Sequence, residues 1–215
     1  MAWYNGFQVR LRDPIMTALK LLAAAVLATL LAVPPASAQT QRLRGTIESV
    51  DGGAMTAKAR DGAPVTIKLA DNATITAVYK ASHADIKEGD YIGSGGMPQA
   101  DGSQKALEVH IFAASMRGQG EGHRPWDGAP NSTMTNGAVG NIVSAVDGPT
   151  ILVKYKDGEK KIVVGPDTPI VRYEAGTRAD LKVGARFSIV AATKQPDGTF
   201  TAARINVGRD GGVPN

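Results

Sequence analysis

The sequence predicts an all-β protein made of two tandem small barrels. Each has five to six strands and one short helical turn, and the two arise from an internal duplication. Three observations carry that expectation. Asp-Gly pairs recur at Asp51, Asp61 and Asp101 and again, with the same spacing, at Asp147, Asp157 and Asp197. The text between them repeats: RGTIESVDGG matches VGNIVSAVDG after a one-residue slip, SHADIKEGDYI matches TRADLKVGARF, and ADGSQKALEVHIF matches PDGTFTAARINV. Apolar and polar residues alternate with the period of two that a half-buried strand requires.

The segment before the repeats is read as a leader, residues 1–38. Leu21–Val33 is an apolar run after Lys20, followed by two prolines and Ala36-Ser37-Ala38, a small-x-small cleavage site. The run is well short of the roughly 20 residues that span a bilayer as a helix, so no stable membrane span is expected after cleavage. Met16 offers a second start, which would make residues 1–15 a start-site artefact.

Residues 39–112 are expected to form the first barrel. Asp-Gly marks tight hairpins because both residues tolerate positive φ. Val65, Ile67 and Leu69 face inward and Thr66 and Lys68 outward. Ser82 followed by Asp85 reads as a capping box over one or two helical turns. Leu107, Val109 and Ile111 face the core, leaving Ala106, Glu108 and His110 on a wet face. Residues 113–136 form an ordered linker carrying HRPWD. Residues 137–208 repeat the first barrel, with Thr177 and Asp180 as the capping pair and Ala203, Ile205 and Val207 facing inward. Residues 209–215 are expected to be a flexible tail. Five or six short strands with one late helical turn suit a closed, OB-like barrel, and closure removes the exposed edges of a sheet.

The stretches RGTIESVDG, VTIKLADNATI, ADIKEGDYI and ADGSQKALEVHIF, taken together, resemble an uncharacterised family of exported bacterial domains, a domain of unknown function. The resemblance covers both repeats. Relatives carry a stretch similar to GEGHRPWD, and some bear an automatic label of metal transporter permease. The resemblance implies the small-barrel fold and an extracytoplasmic location, and it implies no catalytic residue.

Composition narrows the function classes. The chain has 24 basic and 20 acidic residues, and part of that excess, Arg10, Arg12 and Lys20 against Asp13, lies in the leader. The near-neutral remainder lacks the overall basic field of nucleic-acid binding, and aromatic residues, only 5% of the chain, form no stacking track. The absence of cysteine removes thiol catalysis and cysteine-ligated metals. No nucleophile elbow or phosphate loop is present, so no catalytic residue and no cofactor is expected.

Two groups of candidate residues remain. Trp126 is the only tryptophan beyond the leader, and in a glycine-containing linker it reads first as a packing anchor that clasps the barrels together. Arg124 is its candidate partner in a binding site, positioned to stack or to pair with Asp127 or Glu121. Gly95 and Gly96, in YIGSGGMP where the second copy has FSIVAAT, are expected to floor the tryptophan. His110 and His123, with Glu108 and Asp127 near them, are the candidate metal ligands. His83, matched by Arg178 in the second copy, reads as a solvated surface residue. The function expected from these features is that of a non-catalytic, periplasmic or secreted binding or scaffolding protein of the cell envelope, with a protein or glycan partner. A module binding a divalent metal and an envelope hydrolase without a recognisable motif are the alternatives.

Overall fold

The computed structural model describes residues 40–143 and 148–214. The expected leader, residues 1–38, and Asp147 of the fourth Asp-Gly pair lie outside the described residues. The strands are β1 (Thr40–Asp51), β2 (Ala54–Ala59), β3 (Pro64–Ala81), β4 (Tyr91–Pro98), β5 (Gln104–Phe112) and β6 (Gly122–Pro125). They continue with β7 (Thr133–Val143), β8 (Thr150–Tyr155), β9 (Gly158–Val163), β10 (Ile170–Ala175), β11 (Arg186–Lys194) and β12 (Phe200–Arg209). The remaining regular structure consists of 3₁₀ turns at His83–Asp85, Ala114–Met116 and Arg178–Asp180. The fold is therefore all-β, as the sequence predicts.

Asp-Gly sets the hairpins. At Asp51, Asp61, Asp101, Asp157 and Asp197 the flanking strands pair antiparallel. Several of these aspartates fix their own turn: Asp61, Asp101 and Asp197 each accept a hydrogen bond from the backbone N–H two residues on, at 2.9–3.0 Å. Thr199 donates to Asp197 from hydroxyl as well as backbone, and Lys68 donates to it from across the molecule; together they push the carboxyl down to about 2.

Strand pairing closes a five-stranded barrel, and it takes strands from both ends of the chain. β1 pairs with β2, and β2 with β3, all antiparallel. β3 then pairs in parallel with β12, β12 with β11, and β11 returns to β1. Fifteen buried apolar residues fill this barrel, among them Ile47, Met55, Ile67, Phe187, Ile189 and Ile205. The other strands follow the same cyclic order: β7–β8–β9, then β5 in parallel with β9, then β4 back to β7. A second apolar cluster, including Ile92, Val109, Ile111, Ile151 and Ile162, lies within this ring.

The expected boundary between residues 39–112 and 137–208 does not separate these two rings. Each takes three strands from one half and two from the other. The physical reason is the length of β3, 18 residues. Its first part pairs with β2, and its last part, Thr76–Ala81, pairs with β10, which in turn pairs with β5. The chain therefore leaves β3 beside the second ring and enters it as β4.

The two capped turns complete the two rings. Asp85 accepts from the Ser82 N–H and hydroxyl at 2.8 and 2.7 Å, and Asp180 accepts from the Thr177 N–H at 2.7 Å. The residues that follow, Ile86 and Leu181, plug the second ring and the first barrel respectively. Both expected capping boxes form, each over a single 3₁₀ turn.

Two expectations about side-chain direction need correction. Leu107 is 41% exposed while Ala106 is buried, because a bulge between Gly95 and Gly96 leaves Leu107 without a partner and inverts the alternation before it. The same inversion occurs at Ala203, where the β12–β3 register shifts and Ala202 becomes the core residue. The tail is packed rather than free: Gly212 N–H donates to Arg209 O at 2.7 Å, and Gly212 and Pro214 are buried. A side chain at Gly212 would strike Val78 O, so only glycine lets the tail close on β3.

Because β11 completes the barrel that begins with β1, Phe187→Ala is expected to cost about 3–5 kcal/mol. Native-state hydrogen exchange should show amides of β1 and β2 losing protection together with those of β11. Losses confined to residues 137–208 would contradict the shared closure.

Candidate functional site

The outer face of β5 carries Glu108, His110 and Phe112, three residues that alternate to the same side. In register beside them lie Gly95, Met134 and Arg124 in one row, and Gly93, Asn136 and Gly122 in the next. This is the face expected to be wet. It is not: Glu108 is 6% and His110 7% exposed. β10 extends this sheet, paired in parallel with β5 and antiparallel with β3, so that one strand bridges the two rings, and the face itself is met by Trp126 of the linker and by Arg42, Val190 and Asn206 of the first barrel.

Aromatic packing organises this seam. His110 stacks on Tyr173 of β10, with ring centroids 4.9 Å apart and planes 20° apart. Phe112 meets Tyr173 edge-on at 5.4 Å and Tyr91 at 5.7 Å. His110 Nε2 lies 2.8 Å from Glu108 Oε1. Burial, and then the Glu108 carboxylate, push the Tyr173 hydroxyl far above the ordinary tyrosine range, with Arg44 and Arg42 opposing. The phenol therefore stays protonated. Glu108 and His110 line two cavities at once, one of about 660 Å³ beside Lys80 and His83 and one of about 460 Å³ beneath Trp126. His83, expected to be solvated, is half-buried and shares a hydrogen bond with Gly165 O at 3.0 Å.

The linker forms the roof of the smaller cavity. The sequence gives no warning of β6, which adds to the edge of β7 and turns His123–Arg124 into part of the sheet. Trp126 then folds back over β4. A Cβ placed on Gly95 would lie 2.5 Å from Trp126 Cζ3, and one on Gly128 would also strike the ring. The indole is thus held against glycine backbone, as the strand glycines predict for Gly95. Gly93 serves Phe112 in the same way, with Cε2 3.0 Å from where a Cβ would stand, whereas Gly96 accommodates Gln104 on the other face.

Loop 126–132 is locked by Trp126 N–H donating to Ser132 O at 2.9 Å and by the Ser132 hydroxyl donating to Trp126 O at 3.2 Å. Asp127 reaches across to Arg42 of β1, 3.1 Å away, and so ties the linker to the first barrel. Arg124 pairs with neither Asp127 nor Glu121; its Nη1 donates to Gly120 O at 2.5 Å. Glu121 instead accepts from Lys156 N–H at 2.9 Å.

The two histidines considered as metal ligands are not brought together. His123 is in register with Thr135, Ser94 and Val109, the row adjacent to that of His110 and therefore on the opposite face of the sheet. Thr135 donates its hydroxyl proton to Gln104 Oε1 at 2.6 Å, so His123 Nδ1, 2.8 Å from that hydroxyl, must be the donor. Gln104 in turn donates to Ser94 O and Thr133 O. Burial, and then Lys160, hold the His123 ring below its ordinary pKa. Among the described residues no three His, Asp or Glu side chains form a group able to hold a metal.

Tyr173, Asn136 and Arg42 complete the seam and were not singled out from the sequence, because each reaches it only through pairing between distant strands. Asn136 is 5% exposed; its amide donates to Gln119 O at 3.0 Å, while its Oδ1 is buried without a hydrogen-bond partner among the described residues. No family model matches the chain, and neither the curated proteins nor the solved structures searched provide a match.

Gly95→Val should displace the indole, shifting Trp126 fluorescence to the red in a chain starting at Gln39 and costing about 1–3 kcal/mol by overpacking. An unchanged emission maximum would mean that the ring does not lie on Gly95.

His123 gives a pH signature. Its folded pKa lies below the unfolded value, so the unfolded chain takes up a proton first as pH falls. The stability it contributes is complete above the ordinary histidine pKa of about 6.5 and is lost as pH falls from there toward the folded value. Thermal melts from about pH 7 to pH 5 should therefore fall less steeply for His123→Gln than for the parent chain.

Proposed function

We propose that this chain is an exported, non-catalytic binding protein of the cell envelope, and that its ligand is a glycan held in the cleft between the linker and the first barrel. The observation that carries the reading is the composition of that cleft. In about 460 Å³ it combines Trp126, Phe112 and Tyr173 with Arg42, Arg124 and Asn136. Flat aromatic surface beside planar donors and an amide acceptor is the chemistry that sugar rings use: C–H faces pack on rings and hydroxyls bond to Arg and Asn. The volume lies within the range of small-ligand sites. Export is supported by the apolar run at Leu21–Val33 with its Ala36-Ser37-Ala38 site.

In this reading, Trp126 anchors the roof and Arg124, exposed beside it, contacts the ligand. The barrels are OB-like products of a duplication whose copies exchanged their last two strands. That origin is supported by the matching cyclic strand order, by the paired capping boxes and by bulges at the matched positions Leu107 and Ala203.

A glycan array probed with residues 39–215 tests the proposal. Arg124→Ala should abolish the array signal while changing stability by no more than about 0.5 kcal/mol, as an exposed side chain should. A blank array, with an envelope protein captured by the parent chain and lost by Arg124→Ala, would replace the glycan with a protein partner.

A further inference from the structure

A second concave surface, also on the outer face of the first barrel, has a different chemistry. Strand alternation and register place four cations on one face of β2–β1–β11. Lys58 and Arg186 flank Thr46 in one row, and in the next Arg60 N–H donates to Arg44 O at 2.9 Å. These four side chains line a cavity of about 300 Å³ that no carboxylate lines. None of the four makes an ion pair or a side-chain hydrogen bond with another described residue. Arg44 is half-buried, and its Nε is fully buried without an acceptor among the described residues.

Such an arrangement works against the fold. Like charges at neighbouring strand positions repel. A guanidinium N–H removed from water without a partner forfeits a charge-assisted hydrogen bond. Burial and the neighbouring Arg42 both depress Arg44, and Asp127 and Glu108 oppose this from the seam behind it. A ligand with several anionic oxygens offsets the repulsion. It accepts from the accessible guanidinium N–H groups and neutralises the exposed cations around it.

We infer that the cavity formed by Arg44, Lys58, Arg60 and Arg186 binds a phosphate group, either as the free anion or as the phosphate of a small sugar ester. Its size fits the group with a short appendage and lies at the lower end of small-ligand sites. The only aromatic residue in its lining, Phe187, is 1% exposed and points into the barrel core. The cavity therefore offers no platform for stacking bases, which separates it from a single-stranded nucleic-acid groove. The inference is independent of the glycan cleft, since the two sites share no lining residue.

Isothermal titration of residues 39–215 with inorganic phosphate and with glucose 6-phosphate tests it, alongside phosphatidylglycerol vesicles. Saturable binding of inorganic phosphate is expected, and tighter binding of glucose 6-phosphate would identify the sugar ester as the source. Arg60→Ser with Arg186→Ser removes two exposed cations without touching the core and should weaken binding at least about tenfold. Arg44→Lys keeps the charge and loses the guanidinium N–H groups, and should weaken binding as well. Lys182→Ser with Lys194→Ser removes the same net charge elsewhere and should leave binding unchanged. Absence of binding by both phosphates would overturn the site. Equal weakening by the two double variants would do so too, because it would reduce the effect to net charge. Binding to vesicles alone would assign the face to a membrane surface and overturn the pocket.

Discussion

The parallel pairing of β3 with β12 joins the first third of the chain to its last strand, and the rest of the molecule is built around that union. It runs from Ile67 against Phe200 to Tyr79 against Arg209. Without it, β1, β2 and β3 form an open meander whose apolar face, including Ile47, Met55 and Ile67, has nothing to close against. With it, β3 is held along its length, and its final residues are free to pair with β10. Parallel pairing between distant segments is entropically slow to form, because a long loop closes before any contact rewards it. Folding of this chain is therefore gated by an event that local hairpins cannot supply.

The hairpins were legible because their determinants are local. An Asp-Gly pair and the N–H two residues on suffice to define a turn, and Ser82 with Asp85 define a capped one. The way the two rings share strands was not legible for the same reason. β4–β5 and β11–β12 are both antiparallel hairpins of alternating pattern, so local pattern does not say which pair closes on β1–β3. What decides between them is geometric: β3 continues past the barrel to Ala81, and the capped turn then delivers Ile86 to the second ring. The inward phase before Leu107 and at Ala203 was misread because a bulge shifts alternation by one residue and leaves no mark in polarity.

For the site, the sequence exposed what depends on backbone shape and concealed what depends on the meeting of strands. Glycines inside β4 and the one tryptophan after residue 38 pointed to one packing event, and Trp126 lies on Gly95. His110 and His123 looked alike in the sequence yet occupy opposite faces, a distinction that rests on β6 pairing with β7. The cationic cavity was hidden more thoroughly. Its residues come from three strands of both halves, so no basic run announces it, and a near-neutral total conceals a local concentration of charge. Net charge bears on long-range steering, whereas recognition depends on where charges converge.

The seam couples barrel closure to the shape of the cleft. Arg42 lies in β1, Asp127 in the linker and Tyr173 in β10, and the three converge only once β11 and β12 have closed on β1 and β3. A chain without that closure would leave Glu108 and His110 on a solvated face. Burial of an ionisable pair is costly unless the surroundings satisfy it, so the pair adds nothing by itself to the drive for closure. The 2.8 Å contact between the two side chains and the stacking of His110 on Tyr173 supply compensation. The cleft beneath Trp126 is lined by the first barrel, the linker and β10 at once, so it exists only in the closed architecture. The proposed glycan would therefore bind the closed form alone and, by mass action, stabilise it in proportion to occupancy.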